Sequence, residues 1–88
     1  MKRIEVRISG TVQGVFFRAS AKECAEQNGL SGWAKNMPDG SVEVVAEGSE
    51  EGLEALLSFL KKGPSGASVD SIEVEWGSAL GEKGFSVC

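Results

Sequence analysis

The chain has 88 residues, enough for one small domain that buries about 60% of the surface its unfolded form would expose. Hydrophobic residues make up 41% and charged residues 25%, an ordinary globular composition that excludes a disordered or collagen-like chain. No run approaches the ~20 apolar residues of a membrane-spanning helix. The start "MKRIEVRIS" lacks the apolar segment of a secretory signal, so we expect a cytoplasmic protein with no membrane partner.

The formal net charge of −4 argues against a nucleic-acid partner, because most of the surface would repel a polyanion. A net charge of −4 still allows a small anion to bind in one local pocket. The chain has no histidine, and its two cysteines lie far apart, so neither a CxxC pair nor a metal cluster is expected. We expect Cys24 to be a buried helical residue and Cys88 an inert exposed one, without a disulfide in a reducing compartment.

A first strand is predicted up to about Ser9, because apolar and polar residues alternate there. The apolar positions of this strand are Ile4, Val6 and Ile8. The alanine-rich segment "FRASAKECAEQ" predicts a helix over residues 17–27, and the following Asn28 and Gly29 are typical of a helix end. The chain therefore begins with a strand followed by a helix.

A hairpin and a second helix come next. "LSGWAKNM" and "SVEVVAEG" indicate two strands joined by the turn residues "PDG". Ser49 is the expected N-cap of the helix "EEGLEALLSFLKK", in which leucines recur at helical spacing, acidic residues come first and lysines last. The alternating segment "SIEVEW" predicts a fourth strand, and Phe85 and Val87 indicate a short fifth strand at a sheet edge.

The predicted order β-α-β-β-α-β is that of the split βαβ, or ferredoxin-like, arrangement. It is an α+β sandwich with two helices on one face of a four-stranded antiparallel sheet, here with the short fifth edge strand. No linker or low-complexity segment interrupts the chain, so residues 1–88 are predicted to form a single domain. This fold carries many functions, so the residues of the site, and not the fold, decide the function.

The most unusual stretch, "GTVQGVFFRAS", joins the first strand to the first helix. Its glycines permit backbone conformations closed to other residues, so the N–H groups from Gln13 to Arg18 can turn toward one point at a helix N-terminus, where an anion is favoured. Arg18 lies at the end of the helix dipole that disfavours a cation, a penalty that a bound anion would reverse. These residues alone leave two interpretations open: an oxyanion site, or a tight turn with a solvated arginine.

Two motifs together, "ISGTVQGVFFR" and "GWAKNMPDGSVEVVAEG", closely resemble the signatures of acylphosphatases, small ferredoxin-like enzymes that hydrolyse the carboxyl–phosphate bond of acyl phosphates. The resemblance covers the whole chain and implies one acylphosphatase-like domain. It implies that Arg18 binds the phosphoryl group and that Asn36 orients the attacking water. Without the resemblance, Asn36 would be interpreted as a turn residue before Pro38. The main-chain amides that the resemblance implies as a phosphate cradle are those of Gly14, Val15, Phe16 and Phe17.

Hydrolysis of an acyl phosphate needs few catalytic groups. The leaving carboxylate has a conjugate acid with a pKa of about 4, so no general acid is required. Phosphoryl transfer depends mainly on positioning and electrostatic stabilisation, so we expect no cofactor and no metal. The implied partners are an acyl phosphate and inorganic phosphate, the latter as product and competitive inhibitor of a monomeric enzyme. The alternative is a phosphate-binding or regulatory module without turnover; RNA binding is disfavoured, because "SVEVVAEG" is acidic and lacks aromatic residues.

Several aromatic residues in or near these motifs are expected to have structural roles in the core or at its rim. At least one of Phe16 and Phe17 should belong to the core, because neighbouring side chains of an extended segment face opposite ways. Trp33 and Trp76 are predicted to be core or rim residues, with Trp33 close enough to Asn36 to border the pocket. The chain departs from the family pattern in "GFSVC", where many members end in a basic or aromatic residue after the final apolar pair.

Overall fold

The computed structural model describes residues 1–88 and contains five strands and two helices. In chain order these elements are β1 (Lys2–Thr11), α1 (Phe17–Gln27), β2 (Ser31–Asn36), β3 (Val42–Gly48), α2 (Glu50–Lys62), β4 (Ser68–Ser78) and β5 (Phe85–Val87). The predicted β-α-β-β-α-β order and the short fifth strand are confirmed. None of the helices combines the length and the apolar character needed to cross a membrane.

A single sheet contains all five strands in the order β4-β1-β3-β2-β5. The four main strands pair antiparallel, as predicted, whereas β5 pairs parallel to β2 and makes the sheet mixed. Val87 of β5 is the register partner of Ala34, and the N–H of Cys88 donates a hydrogen bond to the Ala34 carbonyl at 2.9 Å. The end of β5 therefore lies beside the end of β2, which is also where Asn36 lies.

Strand β1 extends two residues beyond the predicted end at Ser9. The register between β1 and β4 shifts between Ser9 and Gly10, and the pairing then continues to Thr11. Gly10 has a φ of 130°, and a Cβ built there would lie 2.2 Å from the Ser68 carbonyl oxygen. Only glycine permits this close approach. The resulting bulge interrupts the regular alternation of side chains in β1, and β1 then continues to pair with β4 as far as Thr11.

Both helices pack on one face of the sheet, and the hydrophobic core lies between the two layers. The buried residues of α2 are Gly52 and the four leucines Leu53, Leu56, Leu57 and Leu60; those of α1 are Phe17, Ala21 and Ala25. The predicted N-cap of α2 is confirmed, since Ser49 Oγ accepts a hydrogen bond from the Gly52 N–H at 3.1 Å. The leucine periodicity and the cap thus position α2 as the sequence indicates.

Both cysteines are free. Cys88 is exposed as predicted, but Cys24 is half-buried where full burial was expected. The buried stripe of α1 runs through Ala21 and Ala25, which leaves Cys24 on the flank of the helix beside Asn28, whose side chain donates to the Cys24 carbonyl at 2.8 Å. Burial still raises the pKa of the Cys24 thiol.

Glu47 is a buried carboxylate on the sheet face opposite the helices, with 5% of its surface exposed. It accepts a hydrogen bond of 2.6 Å from Arg3 Nη1. It also accepts three main-chain hydrogen bonds, from the N–H groups of Leu80 at 2.7 Å, Gly81 at 3.0 Å and Glu82 at 2.9 Å. One side chain therefore anchors the β4–β5 loop and, through it, β5.

Glu47 should dominate the acid sensitivity of the fold. Burial by itself would raise the pKa of Glu47, but the main-chain donors and Arg3 outweigh it and lower the pKa from 4.5 to about 2. The ionised carboxylate therefore stabilises the native state above pH 4.5, and this contribution is lost as the pH falls from 4.5 toward 2. We expect Glu47→Gln to be less stable than the wild type at neutral pH and to lose less stability over that interval.

Urea denaturation at a series of pH values measures this difference. Glu54→Gln is the matched control, because Glu54 is an exposed carboxylate on α2, and it should keep the wild-type profile. If Glu47→Gln lost stability with falling pH as steeply as the wild type, the acid sensitivity would have to come from other carboxylates.

Candidate active site

The loop that joins β1 to α1 has φ angles of alternating sign. Gly14 has a φ of 74° and Phe16 a φ of 60°, both left-handed, whereas Val15 and Phe17 have negative φ. Such alternation turns successive N–H groups toward the same side and forms a concave anion-binding surface. Phe16 is the only non-glycine residue with a positive φ, a conformation that costs an L-residue about 1–2 kcal/mol. Strain of this kind is concentrated at functional sites.

The four main-chain N–H groups from Gly14 to Phe17 donate no hydrogen bond within the protein. Helix α1 also lacks a side-chain cap and has no acidic residue in its first turn, whereas α2 has the Ser49 cap and two acids. No side chain of the first turn or of the N-cap therefore compensates the positive end of the α1 dipole. Unpaired amide donors at a helix N-terminus favour a bound anion.

The two adjacent phenylalanines differ in burial, and one of them belongs to the core as the sequence predicts. Phe17 is 1% exposed and its ring packs against Phe59 of α2 with 6.4 Å between the ring centroids, which fixes the start of α1 on the core. Phe16 is 84% exposed and lies at the cleft described below. The core residue thus holds the loop in place, while its neighbour is presented to solvent.

Arg18 extends from the first turn of α1, and its guanidinium is largely free. Nη1 donates a hydrogen bond to the main-chain oxygen of Cys88, and the remaining guanidinium donors make none within the protein. No aspartate or glutamate side chain forms a salt bridge with Arg18. Because the contact is to a backbone atom, the unusual side chain at position 88 does not decide how the arginine is held.

Asn36 is the last residue of β2, and its side-chain carbonyl is unusual. Oδ1 is buried and has no hydrogen-bond partner in the protein. An unpaired buried acceptor costs about 1–3 kcal/mol, so its presence requires an explanation. Asn36 pairs with Val42 and lies two residues after the buried Ala34, on the same face of the strand, which directs its side chain to the helix side of the sheet, toward the β1–α1 loop.

One cleft of about 280 Å³ brings these groups together. Its lining residues are Val12, Gly14, Phe16, Phe17, Arg18, Ala19, Asn36 and Val87. Five of the six residues expected at the site line the cleft. The sixth, Val15, packs its side chain against the core and contributes its backbone to the loop between Gly14 and Phe16.

Two features of the site differ from the expectations. Trp33 does not border the cleft: it pairs with Val45 on the other face of the sheet, because alternation along β2 separates it from Asn36. The apolar wall formed by Val12, Ala19 and Val87 was not predicted. Val87 reaches the cleft only through the parallel pairing of β5 with β2, for which the sequence contains no local signal.

A larger depression of about 340 Å³ lies on the open face of the sheet. Four of its seven lining residues are glutamates, Glu5, Glu43, Glu73 and Glu75, and only one, Arg7, is a cation, so negative charge predominates. Like charges would repel a phosphate there. The cleft at the start of α1, with its free arginine and amides, is therefore the better candidate for binding an oxyanion.

Comparisons with known proteins all point to one family. The acylphosphatase family model matches residues 4–87. The chain is 53% identical over 87 residues to an acylphosphatase of Thermus thermophilus, covering 99% of both chains. Among solved structures it is similar to the acylphosphatase from Bacillus subtilis, with a TM-score of 0.97 and 36% identity over 100% of this chain and 99% of that one. An acylphosphatase from Coxiella burnetii gives a TM-score of 0.94 and 39% identity over 99% and 92%.

The chain therefore belongs to the acylphosphatase family. It is an enzyme, and its activity is the hydrolysis of acyl phosphates.

Proposed function

We propose that the cleft at the start of α1 holds the phosphoryl group of an acyl phosphate and that Asn36 directs a water molecule at its phosphorus. The observation that carries this proposal is that unpaired donors and Asn36 line one cleft: the loop amides and Arg18 lie on one side, and the Asn36 side chain, whose buried Oδ1 has no partner within the protein, lies on the other. Water attacks in line with the departing carboxylate. A bond from the water oxygen to phosphorus forms, and the bond from phosphorus to the acyl oxygen breaks with its electron pair on the carboxylate.

The loop amides and Arg18 supply the charge stabilisation. Negative charge spreads over the three equatorial oxygens in the transition state of phosphoryl transfer. Donors that are already fixed by the loop need no reorganisation as this charge develops. The planar guanidinium of Arg18 offers two parallel N–H groups to two phosphate oxygens. The phosphoryl group is thus held by one cation and a ring of neutral dipoles.

Asn36 acts on the nucleophile. Its Oδ1 accepts a hydrogen bond from the attacking water and fixes the direction of approach. A neutral amide is a poor base, so the water's proton passes to a phosphate oxygen of the substrate. The leaving carboxylate is stable without protonation, since the pKa of its conjugate acid is about 4. Arg18 and the amides therefore suffice without a metal ion.

We propose a monomeric, cytoplasmic enzyme formed by residues 1–88 as one domain, with inorganic phosphate as product and competitive inhibitor. Inorganic phosphate presents the same oxygens to the same donors, so it should compete for the cleft.

Hydrolysis of benzoyl phosphate and acetyl phosphate, with and without EDTA, tests the mechanism. We expect equal rates with and without the chelator, and a rise of the apparent KM with added phosphate at unchanged kcat. Loss of activity in EDTA that Mg²⁺ restores would contradict the metal-free mechanism. Phosphate binding without hydrolysis of either substrate would contradict the proposed mechanism.

A further inference from the structure

Gln13 joins the two halves of the active site without lining the cleft. It lies in the β1–α1 loop immediately before Gly14. Its Nε2 donates hydrogen bonds of 2.9 Å to the carbonyl oxygens of both Met37 and Ser41. Both donors of the side-chain amide are therefore used, and both go to the turn between β2 and β3.

That turn is a well-braced unit that begins directly after Asn36. The Met37 N–H donates to the Ser41 carbonyl at 2.8 Å, and the Gly40 N–H donates to the Met37 carbonyl at 3.1 Å. Asp39 Oδ1 accepts from the N–H of Ser41 at 3.0 Å and from its hydroxyl at 2.6 Å. A contact to the two ends of such a turn fixes the turn as a whole.

The sheet provides no direct connection between these two parts. Strand β3 lies between β1 and β2, so no ladder hydrogen bond links the phosphate-binding loop after β1 to the end of β2. In-line attack nevertheless requires the two to be held at a set distance, because reacting atoms must lie about 3–3.5 Å apart. The Gln13 amide bridges this gap with two hydrogen bonds.

We propose that Gln13 is a positioning residue that sets Asn36, and with it the attacking water, relative to the phosphoryl group held by the loop and Arg18. This inference rests on the mechanism proposed above. It predicts that removal of the Gln13 amide lowers kcat and leaves phosphate binding intact, since the loop amides and Arg18 remain in place.

Gln13→Met tests the inference, because methionine is a similarly long, unbranched side chain that cannot donate. We expect kcat to fall by about 10-fold to 10²-fold, with KM and the inhibition constant of phosphate changed by less than about 3-fold. Gln27→Met is the matched control at the exposed end of α1 and should retain wild-type kinetics. Wild-type kcat in Gln13→Met, or an equal loss of phosphate affinity, would overturn the inference.

A double-mutant cycle distinguishes positioning of Asn36 from a general structural effect. In the Asn36→Ala background, adding Gln13→Met should lower kcat by less than about 2-fold, because the residue through which Gln13 acts is absent. Independent, multiplying losses would overturn the inference and leave the proposed mechanism intact. Wild-type kcat in Asn36→Ala alone would reject the role of Asn36, and the role of Gln13 with it.

Gln13→Glu provides a second variant should Gln13→Met fold poorly. An ionised carboxylate cannot donate to the two carbonyls, whereas a protonated one can donate to one of them. We therefore expect kcat of Gln13→Glu relative to the wild type to recover as the pH falls below about 5. A pH-independent ratio would count against the hydrogen bonds as the cause.

Discussion

Replacing Arg18 with alanine is expected to lower kcat/KM by about 10³-fold or more and to abolish inhibition by phosphate. The cleft contains no second cation that could take over, since Arg18 is its only charged lining residue. The amide donors of the loop are neutral, so the variant retains dipoles but no net positive charge opposite the phosphate. Arg18→Lys should also be impaired, because an ammonium group keeps the charge but not the planar pair of donors.

Steady-state kinetics and phosphate binding by calorimetry measure the effect of Arg18→Ala. Lys22→Ala is the matched control, because it removes a cation from the next turn of the same helix and Lys22 does not line the cleft. The free energy of unfolding of Arg18→Ala should change by less than about 1 kcal/mol, since the guanidinium makes a single hydrogen bond and no salt bridge with Asp or Glu. A variant with most of the wild-type kcat would remove Arg18 from the mechanism.

Replacing Asn36 with alanine is expected to lower kcat by about 10²-fold while the inhibition constant of phosphate stays within about 3-fold of wild type. The physical reason is that the donors proposed to hold the phosphoryl group lie on the β1–α1 loop and α1, whereas Asn36 lies on β2. Removal of an unpaired buried acceptor also relieves a desolvation cost, so the variant should not be destabilised by more than about 1 kcal/mol.

Activity and urea denaturation of the same preparations separate these two effects. Asn28→Ala is the matched control, because Asn28 ends α1 and its side chain donates to the Cys24 carbonyl. It should lose stability and keep its kcat, the reverse of Asn36→Ala. Near-normal kcat in Asn36→Ala, or a large loss of phosphate affinity, would assign Asn36 a role other than holding the water.

The helices and the main strands follow from local sequence patterns. The leucine spacing and the Ser49 cap predict α2, and both are found as expected, because burial of one helix face and pairing of N-terminal amides depend only on nearby residues. The length of β1 is predicted less well. Its last two residues are strand only because β4 pairs with them across the Gly10 bulge.

Glu47 shows where local patterns are insufficient. In β3 it alternates with the buried Val44 and Ala46 positions and would be expected on a solvated face. It is buried because the β4–β5 loop, more than thirty residues later in the chain, folds over it and donates three main-chain hydrogen bonds. No pattern within β3 contains that information.

For the candidate active site, the sequence by itself indicated the chemical groups: the glycine-containing loop, Arg18 at the start of a helix and Asn36 before a turn, in an order that resembles acylphosphatases. The tertiary structure alone decided how they meet. The parallel pairing of β5 places Val87 at the cleft and Cys88 against Arg18, and Gln13 ties the loop to the turn after Asn36. These contacts join residues distant in sequence, and only packing of the whole chain brings such residues within hydrogen-bonding distance.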